Sequence, residues 1–306
     1  MIDITLENFQ SELIDGSMTT PVLLDIWAEW CGPCKQLGPV LEKLETEYAG
    51  RFTLAKLDAD KVPQISQQLS QMFGVRSIPF CVMFKDGQPV DGFVGAIPAA
   101  EIRTFLDKHV PAAEELEAAA EEEAAQTALA EGDTEGALEK LQHAVATDPA
   151  NDDARFDYIK LLLQQGRDDE AKVAFAPVIG KTALVRRFDA LQRWMDAIDF
   201  ATPATGAAPV LAELDAKIAA TKRDFQARFD RARLLMAAQR WPEAMDELLE
   251  ILMRDKAWND ELARKAYIAV LEIIEPPKVK VADGQIPPVD PTVSTYRRRL
   301  SSVVLS

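Results

Sequence analysis

Residues 28–36 read AEWCGPCKQ. Two thiols three positions apart, Cys31 and Cys34, can exchange with a disulfide once ionised, or they can supply half of a zinc site. They could also be the remains of such a centre inside a binding protein. Zinc needs a second donor pair, which neither the single further cysteine, Cys81, nor the two distant histidines supplies. No metal and no cofactor are therefore expected, and redox chemistry is the preferred reading.

That chemistry assigns roles by position. A strand, a short turn and then a helix put Cys31 at a helix N-terminus, where unpaired N–H groups and the macrodipole favour a thiolate. Cys31, nearer the surface, is expected to attack a substrate disulfide. Cys34, one turn further in, is expected to resolve the mixed disulfide. Resolution needs a base, and Asp25, flanked by apolar residues in LLDIW, is the candidate because burial raises a carboxyl pKa. Lys56 on the neighbouring strand could modulate it. Pro79 in SIPF starts an apolar strand and is consistent with a cis bond that presents the Ile78 backbone to an extended peptide. Cys81 reads as an inert core thiol.

The elements that must hold these residues alternate up to about His109. Residues 21–28 (PVLLDIWA) and 51–60 (RFTLAKLDAD) read as strands, and 38–50 as a helix stopped by Gly50. Residues 62–75 form a second helix, 79–95 a hairpin turning on Asp86-Gly87, and 97–110 a closing helix. This order predicts a small sheet with helices on both faces, an α/β fold.

Beyond Pro111 the strand signals stop. Residues 111–150 hold eleven acids against the single base Lys140. Two helix–glycine–helix units follow one another with Gly132 matching Gly166 and Ala137 matching Ala171, both 34 residues apart. This resembles the tetratricopeptide repeat (TPR), whose units stack to bury their faces. A third unit over 231–255 places Ala244 in the same role, with Arg240 read at the turn-glycine position. Residues 182–222 look helical without a signature. Aromatic residues such as Phe156, Phe175, Trp194 and Trp241 are expected mostly in the core.

The proline-rich stretch 276–291 reads as a connector. In the last segment, TVSTYRRRLSSVVLS, Val293, Tyr296, Leu300 and Val303 share one helical face, and Arg297, Arg298 and Arg299 make the rest cationic. Two uses compete: a cap on the last repeat, or a helix held off the body by the connector to fill a partner's apolar groove. Domains are thus expected over 1–110, 111–275 and 276–306.

A formal net charge of −16 over 306 residues argues against nucleic acid as a partner. No apolar run approaches a membrane span, and no signal peptide is expected before Pro21. Three cysteines do not make a disulfide framework, so a cytoplasmic protein with reduced thiols is expected.

The stretches DIWAEWCGPCKQLGPVLEKL, KLDAD, VRSIP, FKDG and VGA occur in the order and spacing of thioredoxin, which the first 110 or so residues resemble. The resemblance implies the thioredoxin fold, with Asp25, Trp27, Trp30, Cys31, Gly32, Pro33, Cys34, Lys56, Pro79 and Gly95 at the family's motif positions. It implies that Cys31 and Cys34 form the redox-active disulfide, that Trp30, Gly32, Pro33, Ile78, Pro79 and Gly95 meet substrate, and that thioredoxin reductase is a partner. A thioredoxin joined to degenerate repeats and a short last helix resembles the chaperedoxins (the CnoX, or YbbN, group). That resemblance implies a holdase that shields unfolded clients from over-oxidation and passes them to the chaperonin (GroEL/GroES) and the Hsp70 system (DnaK). It puts chaperonin contact on Tyr296, Arg297, Arg298, Leu300 and Val303. Two departures matter. Some relatives have lost the first active-site cysteine, which is kept here, and others carry a client-linking cysteine where this chain has Ala59. A disulfide reductase whose repeats select substrates is the alternative, and a scaffold docking one dedicated partner is a third.

Overall fold

The computed structural model describes residues 1–202, 210–276 and 289–305. The chain divides into two compact units, Met1–Glu117 and Ala118–Ser306.

The first unit is a five-stranded sheet in the order β1-β3-β2-β4-β5. Its strands are β1 (Ile2–Asp3), β2 (Val22–Trp27), β3 (Thr53–Asp58), β4 (Phe80–Lys85) and β5 (Gln88–Val94). β2 runs parallel to β3 and antiparallel to β4. Strand β2 is apolar at every position but Asp25 because both of its faces are covered. Val22, Leu24 and Ile26 join Leu57, Ile65, Leu69 and Val82 in one core. Leu23 packs on the other face with Leu37, Leu41, Met83, Ile102 and Cys81. Alternation along β2 thus assigns Asp25 to the Leu23 face.

Helices α1 (Gly32–Glu47), α2 (Pro63–Phe73) and α3 (Ala99–Leu106) flank the sheet, and shorter helical turns at Phe9–Asp15 and Gly16–Met18 precede β2. Helix α1 begins six residues before the expected 38. Pro33 sits in its first turn, where no backbone donor is needed, and neither Gly38 nor Pro39 breaks it. It ends at Glu47, and the left-handed residues Ala49 and Gly50 turn the chain into β3. The hairpin turns on Asp86 and Gly87, both at positive φ, as the sequence suggested.

The second unit is helical: α4 (Ala113–Ala130, entered from the first unit), α5 (Thr134–Thr147), α6 (Asp152–Gln164), α7 (Asp168–Phe175), α8 (Arg186–Ala201), α9 (Leu211–Ala220), α10 (Phe225–Ala237), α11 (Trp241–Leu252), α12 (Trp258–Ile274) and α13 (Pro291–Leu305). The turns α4–α5, α6–α7 and α10–α11 close identically. Gly132, Gly166 and Gln239 take positive φ, and the next residue's N–H reaches back five residues to Ala128, Leu162 and Leu235. Five residues after each turn residue lie Ala137, Ala171 and Ala244, all fully buried. The glycine position of the third unit is therefore Gln239, not Arg240 as expected; Arg240 takes the place of Asp133 and Arg167 as helix N-cap.

A longer repeat underlies this one. Residues 154–157 and 227–230 both read ARFD. Asn151 caps α6 through the Ala154 N–H, and Asp224 caps α10 through the Ala227 N–H. The two arginines, Arg155 and Arg228, are buried.

Helix α13 packs on the last repeat. Val293 and Tyr296 lie in the core with Leu248, Tyr267 and Val270, and Leu300 and Val303 pack against it. The Tyr267 hydroxyl donates to the Tyr296 carbonyl at 2.8 Å, and the Tyr296 hydroxyl donates to Pro242 O at 3.1 Å. Of the two competing uses, the packing is that of a cap: the apolar face is spent on the chain's own repeats, because that burial is available within the chain. Of the connector expected over 276–291, residues 277–288 lie outside the described residues.

Candidate redox site

The first turn of α1 carries both cysteines. Their sulfurs are joined as a disulfide, with Cα atoms 5.3 Å apart. Cys31 is the N-cap, and its sulfur accepts from the Cys34 N–H at 3.2 Å. Charge arriving on this sulfur when the disulfide opens would meet unpaired N–H groups and the positive end of the helix, which favours Cys31 as a thiolate leaving group. The two cysteines are buried alike, 3% and 4% exposed, so in the oxidised state exposure does not single out Cys31 as the sequence reading had it. Helix position does. Ala28, with Trp27 and Ile78 packed alongside, covers the pair.

Around the disulfide the sheet presents an open rim. Trp30 is 71% exposed, and its indole N–H donates to Asp60 at 2.9 Å. The Ile78–Pro79 peptide is cis. Gly95, at positive φ, donates its N–H to the Pro79 carbonyl at 2.8 Å, which ties the end of β5 to the turn before β4. A groove of about 550 Å³ starts at Trp30 and Ile78 and runs along Ala59, Ser66, Ser70 and Val75. Trp30 and Ile78 thus come together as expected. Pro79 and Gly95 form the adjoining turn, and Gly32 and Pro33 sit in the first turn of α1. The α2 wall of the groove was not foreseen, since nothing in Ser66 or Ser70 announces a site.

Asp25, on the strand that leads to the disulfide, is 2% exposed. Burial is the main cause pushing its pKa up to about 6; the Lys56 ammonium and a hydrogen bond from Cys81 pull it back, and Glu42 raises it further. Lys56 is itself committed to Glu42, at 2.6 Å. A carboxylate whose pKa is pushed up to about 6 is suited to accept a proton near neutral pH. Cys81 is the buried, hard-to-ionise thiol that was expected, and it also has a polar partner. Its fully buried sulfur lies 3.7 Å from Asp25 Oδ1, close enough for a thiol hydrogen bond, and burial followed by the Asp25 charge raises its pKa well above the ordinary thiol value. The sequence hides this contact because it depends on the β2–β4 register, in which Asp25 stands opposite Cys81.

The residues read as a partner site on α13 split into two sets. Tyr296, Leu300 and Val303 belong to the packed face. Arg297 pairs with Glu275, and Arg298 is exposed. Arg299, not among the expected contacts, pairs with Asp246 at 2.5 Å. Among the described residues no helix is long and apolar enough to cross a membrane.

Comparison with known proteins agrees with this geometry. The thioredoxin family model matches residues 1–108, and tetratricopeptide repeat models match 128–195 and 204–304. A thioredoxin of Chlorobaculum thiosulfatiphilum is 44% identical over 106 residues, which are 35% of this chain and 93% of that protein. Thioredoxin 1 of Nostoc sp. is 39% identical over 107 residues (35% and 94%). Thioredoxin C-2 of Corynebacterium nephridii is 40% identical over 110 (36% and 96%). Since nearly the whole of each relative is matched around the Cys31–Cys34 disulfide, the chain belongs to the thioredoxin family, in a form fused to tetratricopeptide repeats.

Proposed function

We propose that the protein is a thioredoxin-domain co-chaperone: its repeats hold unfolded clients while the Cys31–Cys34 pair exchanges disulfides with them. The observation that carries this reading is the joining, in one chain, of a redox disulfide at a helix N-terminus to an array of repeats. Repeat arrays serve protein–protein contact through extended surfaces. Within the repeats a groove of about 490 Å³ is lined by Val145, Ala146, Tyr158 and Val173, a wall suited to an apolar peptide. The redox domain spans residues 1–110, the repeats 111–275 and the last segment 276–306, and the protein works in the cytoplasm. In the redox cycle Cys31 attacks, Cys34 resolves, Asp25 takes the Cys34 proton and Lys56 biases that carboxyl. Trp30, Ile78, Pro79 and Gly95 border the substrate. Thioredoxin reductase returns the pair to the dithiol. Clients pass to the chaperonin and to the Hsp70 system, and the outward arginines Arg297 and Arg298 are the part of α13 open to that contact.

A second reading, a disulfide reductase whose repeats only select substrates, draws on the open groove between Trp30 and Val75. One experiment separates the two. The Cys31→Ser/Cys34→Ser chain should lose insulin reduction by two orders of magnitude or more, on the order expected when a nucleophile is removed. It should still slow aggregation of a cysteine-free client. Aggregation as fast as in buffer would discard the holdase and leave the reductase.

A further inference from the structure

The redox cycle as described leaves one buried thiol unused. Cys81 lies on β4 with no exposed surface, and the antiparallel register places it across from Asp25. The groups that face the Asp25 carboxyl are few. Lys56 reaches it from β3, Glu42 from α1 and Cys81 from β4. Of these, Lys56 spends its hydrogen bond on Glu42. The Cys81 thiol, 3.7 Å from Oδ1, is the hydrogen-bond partner of the Asp25 side chain among the described residues. An apolar residue in its place would leave a buried carboxylate without a donor, which is costly for the charged form.

We infer that Cys81 is a positioning residue for Asp25: its S–H donates to Oδ1, fixes the orientation of the carboxylate and favours its charged form, and so sets the pH at which Asp25 can accept the Cys34 proton. The inference rests on the proposed role of Asp25 as base. In the step concerned, the Cys34 S–H gives its proton to the Asp25 carboxylate, and the resulting thiolate attacks the Cys31 sulfur of the mixed disulfide. The Cys31–Cys34 bond forms, the bond from Cys31 to the client sulfur breaks, and the client leaves as a thiolate that takes a proton from water. Two electrons pass from the dithiol to the client, and Asp25 returns its proton to solvent. Cys81 exchanges no electrons and keeps its proton throughout, consistent with a thiol whose ionisation burial and the Asp25 charge both oppose.

The test compares the full-length protein with Cys81→Ala, Cys81→Ser, Asp25→Asn and the Asp25→Asn/Cys81→Ala pair, following insulin reduction across pH and the ¹³C shift of the Asp25 carboxyl. Removing the donor should move the acid limb of the rate profile and the carboxyl titration of Cys81→Ala upward together, by roughly half a unit to one unit, leaving the high-pH plateau in place. Cys81→Ser, which keeps a donor, should fall back toward the parent. The double variant should match Asp25→Asn. If Cys81→Ala titrates like the parent, or loses rate equally at every pH, the thiol only fills space and the inference is overturned. A Cys81→Ala shift that persists without Asp25 overturns it too. An Asp25→Asn profile that keeps the parent's acid limb would instead remove Asp25 as base, and the carboxyl titration of Cys81→Ala would still show whether the thiol tunes it.

Discussion

The two units bury charge in opposite ways. In the first, Asp25 sits inside the sheet with a thiol as its hydrogen-bond donor, no ion pair among the described residues, and a pKa pushed up to about 6, so the group is left free to titrate. In the second, each buried arginine is tied down. Arg228 pairs with Glu247 at 2.8 Å and donates to Lys222 O at 3.0 Å. Arg155, at the same place in the longer repeat, donates to Ala174 O and Pro149 O. A buried group left short of partners is a candidate for chemistry, whereas one whose donors are nearly all met belongs to the architecture. Among the described residues two buried donors have no partner, Arg155 Nε and Trp194 Nε1.

The largest effect that would test this division is on α13. Tyr296 is buried, with its hydroxyl shared between Pro242 and Asp246, so Tyr296→Ala should cost about 4 kcal/mol, in the range for large aromatic truncations. Chemical denaturation of the full chain reads it. A loss under about 1 kcal/mol would mean that the helix is loosely held, and the docking use of its apolar face would return.

Next come the arginines, where the repeat supplies its own control. Nineteen residues beyond Arg228 stands Glu247; nineteen beyond Arg155 stands Ala174. Arg228→Met strands a carboxylate, although Arg231 still pairs with it at 3.2 Å, and should cost about 3 kcal/mol. Arg155→Met strands only carbonyls and should cost about 1–2 kcal/mol. Equal losses would show that the carboxylate adds nothing.

Asp25 should act with the opposite sign. Its folded pKa of about 6 lies above the ordinary 3.8, so the fold prefers the protonated form. The penalty is absent below pH 3.8, grows as pH rises toward 6, and is complete above that. Asp25→Asn should therefore stabilise the protein by about 2–3 kcal/mol near pH 8 and by almost nothing near pH 4, even as it slows resolution. Melting curves at the two pH values check it. A gain that is the same at both would place the cause in packing instead.

How much of this was readable beforehand follows from what each feature depends on. The placement of Cys31, Cys34, Asp25 and Pro79 was legible because it depends on neighbours in sequence: a strand, a turn, a helix start. Gly132 and Gly166 were legible because glycine advertises a left-handed turn. The Cys81–Asp25 contact was not, since it exists only once β2 and β4 have paired. The packing of α13 was undecidable from its pattern, because a cap and a docking helix show the same apolar stripe. The ARFD repeat was in plain view, but Arg155 and Arg228 look like surface charges until their helices are packed.

The smallest effect tests the turn that the sequence misplaced. Gln239 holds φ +56°, where Gly132 and Gly166 hold +84° and +69°, with the same backbone bonds on either side. A side chain in this region costs about 1 kcal/mol against glycine, offset in part by the extra freedom glycine gives the unfolded chain. The Gln239 side chain also donates to Gln164 O at 3.2 Å, an exposed contact of modest worth. Gln239→Gly should therefore stabilise the protein by about 0.5 kcal/mol, and Arg240→Gly should not, because Arg240 is the N-cap residue and its bidentate pairing with Glu243 would be lost. If Arg240→Gly proved the stabilising change, the turn register of the third unit would be the one first read from the sequence. If Gln239→Gly alone stabilises, the left-handed position is shared by all three turns, and the third unit closes as the other two do.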